Sequence, residues 1–120
     1  MIQEDAVAAR CGAYAVDIQS QWADSQPATE FAPFVSAAAV AIRQQSATAI
    51  ILAGLATNGP KGAVPVSDLV TDWHIALGAG VNGFWVNAAQ WQPTKCTAAQ
   101  GGPGCPGIAI QLLKAEGLTS

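Results

Sequence analysis

The stretch TAIILAGLA, residues 48–56, is nearly all apolar and decides the fold class. A strand with one wet face alternates apolar and polar residues, whereas this stretch offers water no polar face. Strands that are apolar on both faces are typical of parallel sheets covered on both sides. We therefore predict a buried parallel strand at Thr48–Ala56.

Two further strands are predicted, one on each side of this stretch in the sequence. YAVDIQ, residues Tyr14–Gln19, alternates apolar and polar positions and carries Asp17 among apolar neighbours. VNGFWVNA, residues Val81–Ala88, alternates in the same way. Phe84 and Val86 lie on the face that we expect to meet the helices, and Trp85 and Asn87 lie on the opposite face.

Helical periodicity fills the intervals between the predicted strands. We predict helices at Ile2–Cys11, at Glu30–Gln45 with Thr29 as its N-cap, at a segment that Ser67 caps and Gly78 ends, and at Gly107–Glu116. The order is thus a helix followed by three strand–helix units. Strands that alternate with helices imply right-handed crossovers and a parallel sheet, so the fold class is α/β.

Two architectures fit this order in a chain of 120 residues. One is a compact, three-stranded single α/β domain, and the other is three consecutive units of a (β/α)8 barrel, which needs about 250 residues. We favour the barrel segment, because the chain begins with a helix that no strand precedes. At 51% hydrophobic and 11% charged residues, it is also too apolar for an exposed sheet.

Charge and hydropathy argue against two classes of partner. The net charge is −3 and no Lys/Arg cluster occurs, so a nucleic-acid partner is not expected. The longest apolar run, Ala47–Ala56, falls well short of the roughly 20 residues that span a bilayer, so no membrane partner is expected. The start of the chain, MIQEDAVAAR, lacks the features of a signal peptide. The protein is therefore either cytoplasmic or the downstream part of a longer precursor.

The cysteines bear on that choice. Cys96 and Cys105 flank the glycine-rich segment TAAQGGPG, and a disulfide between them would close a short loop and imply an oxidising compartment. The alternative is two free thiols in a cytosolic loop. A zinc site is not expected, because neither cysteine has a CxxC partner and His74 lies elsewhere. No metal or cofactor is predicted, and Cys11 is interpreted as a buried thiol.

In both architectures ligands bind at the carboxyl ends of the parallel strands. Amide side chains, which donate and accept hydrogen bonds, and indoles, which stack on the CH faces of sugar rings, collect at these ends. The candidate ligand-binding residues are Gln19, Gln21, Trp22, Asn58, Trp85, Asn87 and Trp91. Their chemistry predicts a small-molecule or polysaccharide ligand.

Each candidate also has a structural interpretation. Trp85 could fill the core, whereas Trp73 lies on the apolar stripe of its helix and is expected to be core. Asp17 is the candidate catalytic carboxylate, but a salt bridge within the sheet would satisfy it equally well. Asp24 and Glu30 fall in a predicted loop and a helix start, so the second acid of a glycosidase pair would have to come from strands outside this chain. None of the motifs GxSxG, GxGxxG, HExxH or the P-loop is present.

The order AVDIQSQ, IILAGLATN, VNGFWVN, cysteine loop and closing helix resembles the last third of certain uncharacterised secreted bacterial proteins. These are (β/α)8 barrels similar to glycoside hydrolases. The resemblance implies an extracellular protein and a missing N-terminal barrel half. It also implies a sugar-binding floor at Trp85. The catalytic acids of such enzymes lie on earlier strands, so the resemblance bears on ligand class more than on activity.

Two other functions remain open at this point. One is a non-enzymatic α/β domain that forms homo-oligomers through its exposed sheet edge. The other is a cytosolic hydrolase or lyase that uses Asp17 with His74.

Overall fold

The computed structural model describes residues 2–12, 15–18, 28–59, 62–88 and 96–119 of a mixed α/β chain. The helices are α1 (Ile2–Arg10), α2 (Ala28–Gln45), α3 (Val66–Gly78) and α4 (Pro106–Ala115), with a 3₁₀ turn at Ala98–Gln100. The strands are β1 (Ala15–Ile18), β2 (Ile50–Ala56), β3 (Asn58–Gly59), β4 (Gly62–Ala63) and β5 (Gly83–Asn87).

The main sheet has three parallel strands in the order β1-β2-β5. Asp17 of β1 pairs with Leu52 of β2, and Gly54 of β2 pairs with Trp85 of β5. The predicted central parallel strand is therefore confirmed. The segment after β2, which the sequence predicts to be a turn-rich loop, instead forms a short antiparallel hairpin in which Asn58 pairs with Ala63.

The helices form a continuous layer, because α1 packs on α2, α2 on α3 and α3 on α4. Fully buried side chains of this layer meet those of β2 to form the core. Burying each large aliphatic or aromatic side chain contributes about 1.5–3 kcal/mol. The largest of them are Phe31, Val35, Ile42, Ile51, Leu55, Leu69 and Leu112.

The alternation of β5 divides its side chains as the sequence predicts. Phe84 and Val86 pack against the core, and Phe84 stacks on Trp73 of α3 with ring centroids 3.8 Å apart and planes 15° apart. Trp73 is buried, which confirms its predicted core role. Trp85 points to the other face of the sheet and is 41% exposed.

A hydrogen-bonded cluster holds the amino end of the sheet together. The side-chain oxygen of Asn82, just before β5, accepts from the Ile51 backbone N–H at 2.8 Å and from the Arg43 guanidinium at 2.8 Å. Arg43 also donates to the Ala49 carbonyl. These hydrogen bonds join the end of α2 to the starts of β2 and β5. They lie at the amino end of the sheet, and the candidate site lies at the carboxyl end.

Several local predictions are wrong. Helix α2 begins at Ala28, which places Thr29 inside the first turn instead of at the N-cap. Helix α3 begins at Val66 after an extended Pro65, so Ser67 lies within it, and no side chain caps it. Cys11 is exposed because it follows the last residue of α1, where the chain leaves the core. Among the residues described, no helix is long and apolar enough to cross a membrane.

Candidate functional site at the carboxyl end of the sheet

The carboxyl ends of β2 and β5 lie side by side. The Thr57 backbone N–H, directly after β2, donates to the Asn87 carbonyl of β5 at 3.0 Å. Polar side chains that follow either strand therefore reach the same edge of the sheet, as parallel topology requires.

Thr57 and Asn58 hold a neighbouring loop in place at this edge. The Thr57 hydroxyl donates to the Gly104 carbonyl at 2.5 Å, and the Asn58 side-chain amide donates to the same carbonyl at 3.3 Å. Thr57 is 0% exposed and Asn58 is 4% exposed. Asn58, predicted to bind ligand, is therefore placed to position the loop beside the site.

That loop is closed by a disulfide between Cys96 and Cys105, whose Cα atoms lie 5.5 Å apart, so the predicted pairing is confirmed. A capping box orders its first half. Thr97 N–H donates to the Gln100 side chain at 2.8 Å, and Gln100 N–H donates to the Thr97 hydroxyl at 3.2 Å. A side chain at Gly107 would meet the Gln100 carbonyl carbon at 2.8 Å, so only glycine permits this close approach.

We expect Thr57→Val to lower the free energy of unfolding by about 1–2 kcal/mol, because it leaves the buried Gly104 carbonyl without its closest donor. Valine keeps the shape of threonine, so the loss reports the hydroxyl. The measurement is urea unfolding followed by tryptophan fluorescence. Thr71→Val is the matched control, because the Thr71 hydroxyl donates to the Ser67 carbonyl at an exposed position. Equal losses in the two variants would contradict a role for Thr57 in holding the loop.

Trp85 lies on the sheet face turned away from the helices, and two neighbouring positions on that face are glycines. Its pairing partner in β2 is Gly54, and the preceding residue on the same face is Gly83. Leu52 leans over Gly83, where a Cβ atom would meet its side chain at 3.1 Å. Asn87 follows Trp85 on the same face at the strand end and is half-buried. An exposed indole beside an amide is thus presented toward the carboxyl end.

The other candidate residues divide into two groups. Gln19, Gln21, Trp22 and Trp91 lie outside the residues that the structure describes. Asp17 lies in β1, opposite Leu52, and its side chain lies outside the described part of the chain.

His74 belongs to the helix layer. It lies in α3, its side chain is 64% exposed, and its Nε2 atom is 3.2 Å from Oε1 of Glu116, the residue that follows α4. This contact joins the ends of two neighbouring helices and favours a structural role for the imidazole.

The structure also places a buried acid that the sequence interpretation missed. Asp72 of α3 is 2% exposed, and its buried Oδ2 atom has no hydrogen-bond partner among the residues that the structure describes. Burial, and to a lesser extent the nearby charge of Asp68, raise the pKa of this carboxyl from 3.8 to about 7. The helical period of the sequence could have indicated this burial, because Asp72 falls between Leu69 and Trp73 on the buried face of α3.

Within the described ranges, no group of three or more His, Cys, Asp or Glu side chains is placed to hold a metal ion. Comparisons with protein-family models, with curated proteins and with solved structures gave no match to this chain. The interpretation of the site therefore rests on the geometry of its own residues.

Proposed function

We propose that the chain is a carbohydrate-binding, glycosidase-like unit of a (β/α)8 barrel, with its ligand at the carboxyl ends of the parallel strands. The observation that carries the proposal is the exposed Trp85 indole on the sheet face turned away from the helices. Indole faces stack on the CH surfaces of sugar rings, and Asn87 beside it has both donors and acceptors for hydroxyl groups.

The sheet supports the barrel part of this proposal. Its strands follow one another in sequence order and are parallel, and consecutive helices pack on each other in one layer. Right-handed crossovers between neighbouring strands in sequence order place every helix on the same side of a sheet, which is the arrangement inside a barrel. The opposite face, with Trp85, would then face the barrel interior near its open end.

The disulfide supports an extracellular location. The Cys96–Cys105 bond is of the kind that persists in oxidising compartments, where glycan-degrading proteins also work. We propose that Asp17 is one candidate acid, and that the remaining strands of the barrel and the second catalytic acid come from a part of the protein other than this chain.

We expect oligosaccharides from a panel of cello-, xylo- and chito-oligomers to change the tryptophan fluorescence of the protein, and Trp85→Ala to abolish that change. The control is Ile110→Ala, which removes an exposed apolar side chain from the helix layer, 52% exposed, and leaves the sheet face intact. A panel that gives no response in the unmodified protein would sink the carbohydrate proposal.

A second candidate function is self-association through the sheet. Within the described residues β5 has a strand partner on one side only, and the exposed Trp85 lies on the same sheet face as the half-buried Leu52. Exposed strand edges and apolar patches promote pairing between chains. This candidate is favoured if sedimentation equilibrium shows a concentration-dependent dimer and the glycan panel leaves the tryptophan fluorescence unchanged.

A further inference from the structure

A cavity lies on the helix side of β5, opposite to the Trp85 face. It has a volume of about 580 Å³, within the roughly 300–1,000 Å³ range of small-molecule pockets. Helix α3 supplies one wall, β5 the floor, and the end of α4 the other wall. Its lining residues include Trp73, Leu77, Phe84, Val86, Leu113 and Glu116.

The lining is mostly apolar and contains one carboxylate. Trp73 and Phe84 stack on each other and present a rigid aromatic surface, and Leu77 and Leu113 extend it. Glu116 is the acidic residue of this lining, and its side chain is only 9% exposed. A carboxylate in so apolar a setting attracts a cation more strongly than a solvated one does, because little water screens it.

The carboxylate is not fully used by its protein neighbour. His74 contacts Oε1 at 3.2 Å from the solvent side, with most of its imidazole exposed. Oε1 is nonetheless buried and has no hydrogen-bond partner among the described residues, so it is an acceptor for a donor that enters the cavity.

We propose that this cavity binds a small apolar molecule that carries one cationic amino group. The apolar part packs against the stacked Trp73–Phe84 pair, and the ammonium group donates to Glu116. The lining comes from α3, from β5 and Asn82 just before it, and from the end of α4 with Leu118 just after it, so this site does not require any strand outside the chain. It lies on the helix side of the sheet and is separate from the Trp85 face.

The test uses three probes that differ only in their polar end: 4-phenylbutylamine, 4-phenylbutanol and 4-phenylbutyrate. We expect binding to the full chain, measured by isothermal titration calorimetry, in the order amine, alcohol, carboxylate. The amine should bind about tenfold more tightly than the alcohol, the usual size of a charge-assisted hydrogen bond in a part-buried site.

Variants separate the charge from the cavity. Glu116→Gln should remove the advantage of the amine and leave the affinity for the alcohol unchanged, whereas the exposed carboxylate variant Glu30→Gln should change neither. His74→Ala should increase the advantage of the amine, because the imidazole no longer lies 3.2 Å from the Glu116 carboxylate and no longer competes for it. Leu77→Ala should weaken all three probes by a similar factor, because it removes apolar lining at an exposed position that tolerates the change.

Two results would overturn the proposal. One is the absence of binding by any probe up to its solubility limit. The other is an amine that binds no more tightly than the carboxylate, or whose advantage persists in Glu116→Gln. Trp85→Ala should leave the amine affinity unchanged, so failure of the carbohydrate proposal and failure of this one are distinguishable.

Discussion

We expect Asp72→Asn to stabilise the protein at neutral and alkaline pH and to have almost no effect near pH 4. Asp72 is almost fully buried, and burial is the main cause that raises its pKa from 3.8 to about 7, with the Asp68 charge second. A carboxyl with a higher pKa in the folded state binds its proton more tightly there. Acid therefore favours the folded state through this group.

The pH window follows from those two values. The contribution of Asp72 to the free energy of unfolding is fully present below the pKa of the unfolded state, near 3.8. It is lost as the pH rises through the pKa of the folded state, about 7. This difference between the pKa values of the unfolded and folded states corresponds to about 4 kcal/mol in the free energy of unfolding. Asparagine stays neutral at every pH and so resembles the protonated acid. The variant should be as stable as the unmodified protein at pH 4 and more stable by up to about 4 kcal/mol at pH 8.

The measurement is urea unfolding of both proteins from pH 4 to pH 8, compared as a difference so that all other titrating groups cancel. Asp68→Asn is the control, because Asp68 is exposed and acts on Asp72 only through its charge. It should flatten the pH dependence of the unmodified protein without abolishing it. A stability difference between Asp72→Asn and the unmodified protein that is the same at both ends of the range would contradict the assignment.

Local periodicity was enough to predict the three strands of the main sheet and the division of β5 into two faces. The run at residues 50–56 is apolar throughout. In β5, Phe84 and Val86 lie on the face opposite to Trp85, independently of the rest of the chain. Side-chain period depends only on backbone geometry, so it can be read from the sequence alone. The Cys96–Cys105 pairing was equally local, because only eight residues, TAAQGGPG, separate the two cysteines.

Contacts between distant residues could not be predicted in this way. Asn82 accepts from Arg43, 39 positions earlier, and Thr57 donates to Gly104, 47 positions later. Nothing in the local sequence around Asn58 indicates that its amide meets the same carbonyl instead of a ligand. Asp72 is a different case, because it lies on the same helix face as the buried Leu69 and Trp73. A charged residue on a face that is otherwise buried indicates a carboxyl with an unusual environment.

We expect loss of the Cys96–Cys105 disulfide to lower the free energy of unfolding by about 3 kcal/mol, since the bond closes a short loop and restricts the unfolded chain. For a chain of 120 residues this corresponds to a fall in Tm of about 12 °C. Cys105 is 0% exposed and immediately precedes α4, so the bond also ties the start of that helix to the segment that follows β5.

The experiment is thermal and urea unfolding of Cys11→Ala with and without a reductant, with the thiol count checked by mass spectrometry. Cys11 is exposed and outside the bond, so its replacement prevents thiol exchange and should itself leave stability unchanged. Reduction leaves every side chain in place, unlike substitution of the buried Cys105, so the loss reports the bond alone. Unchanged unfolding of the fully reduced protein would show that Thr57 and Asn58 hold the loop without it.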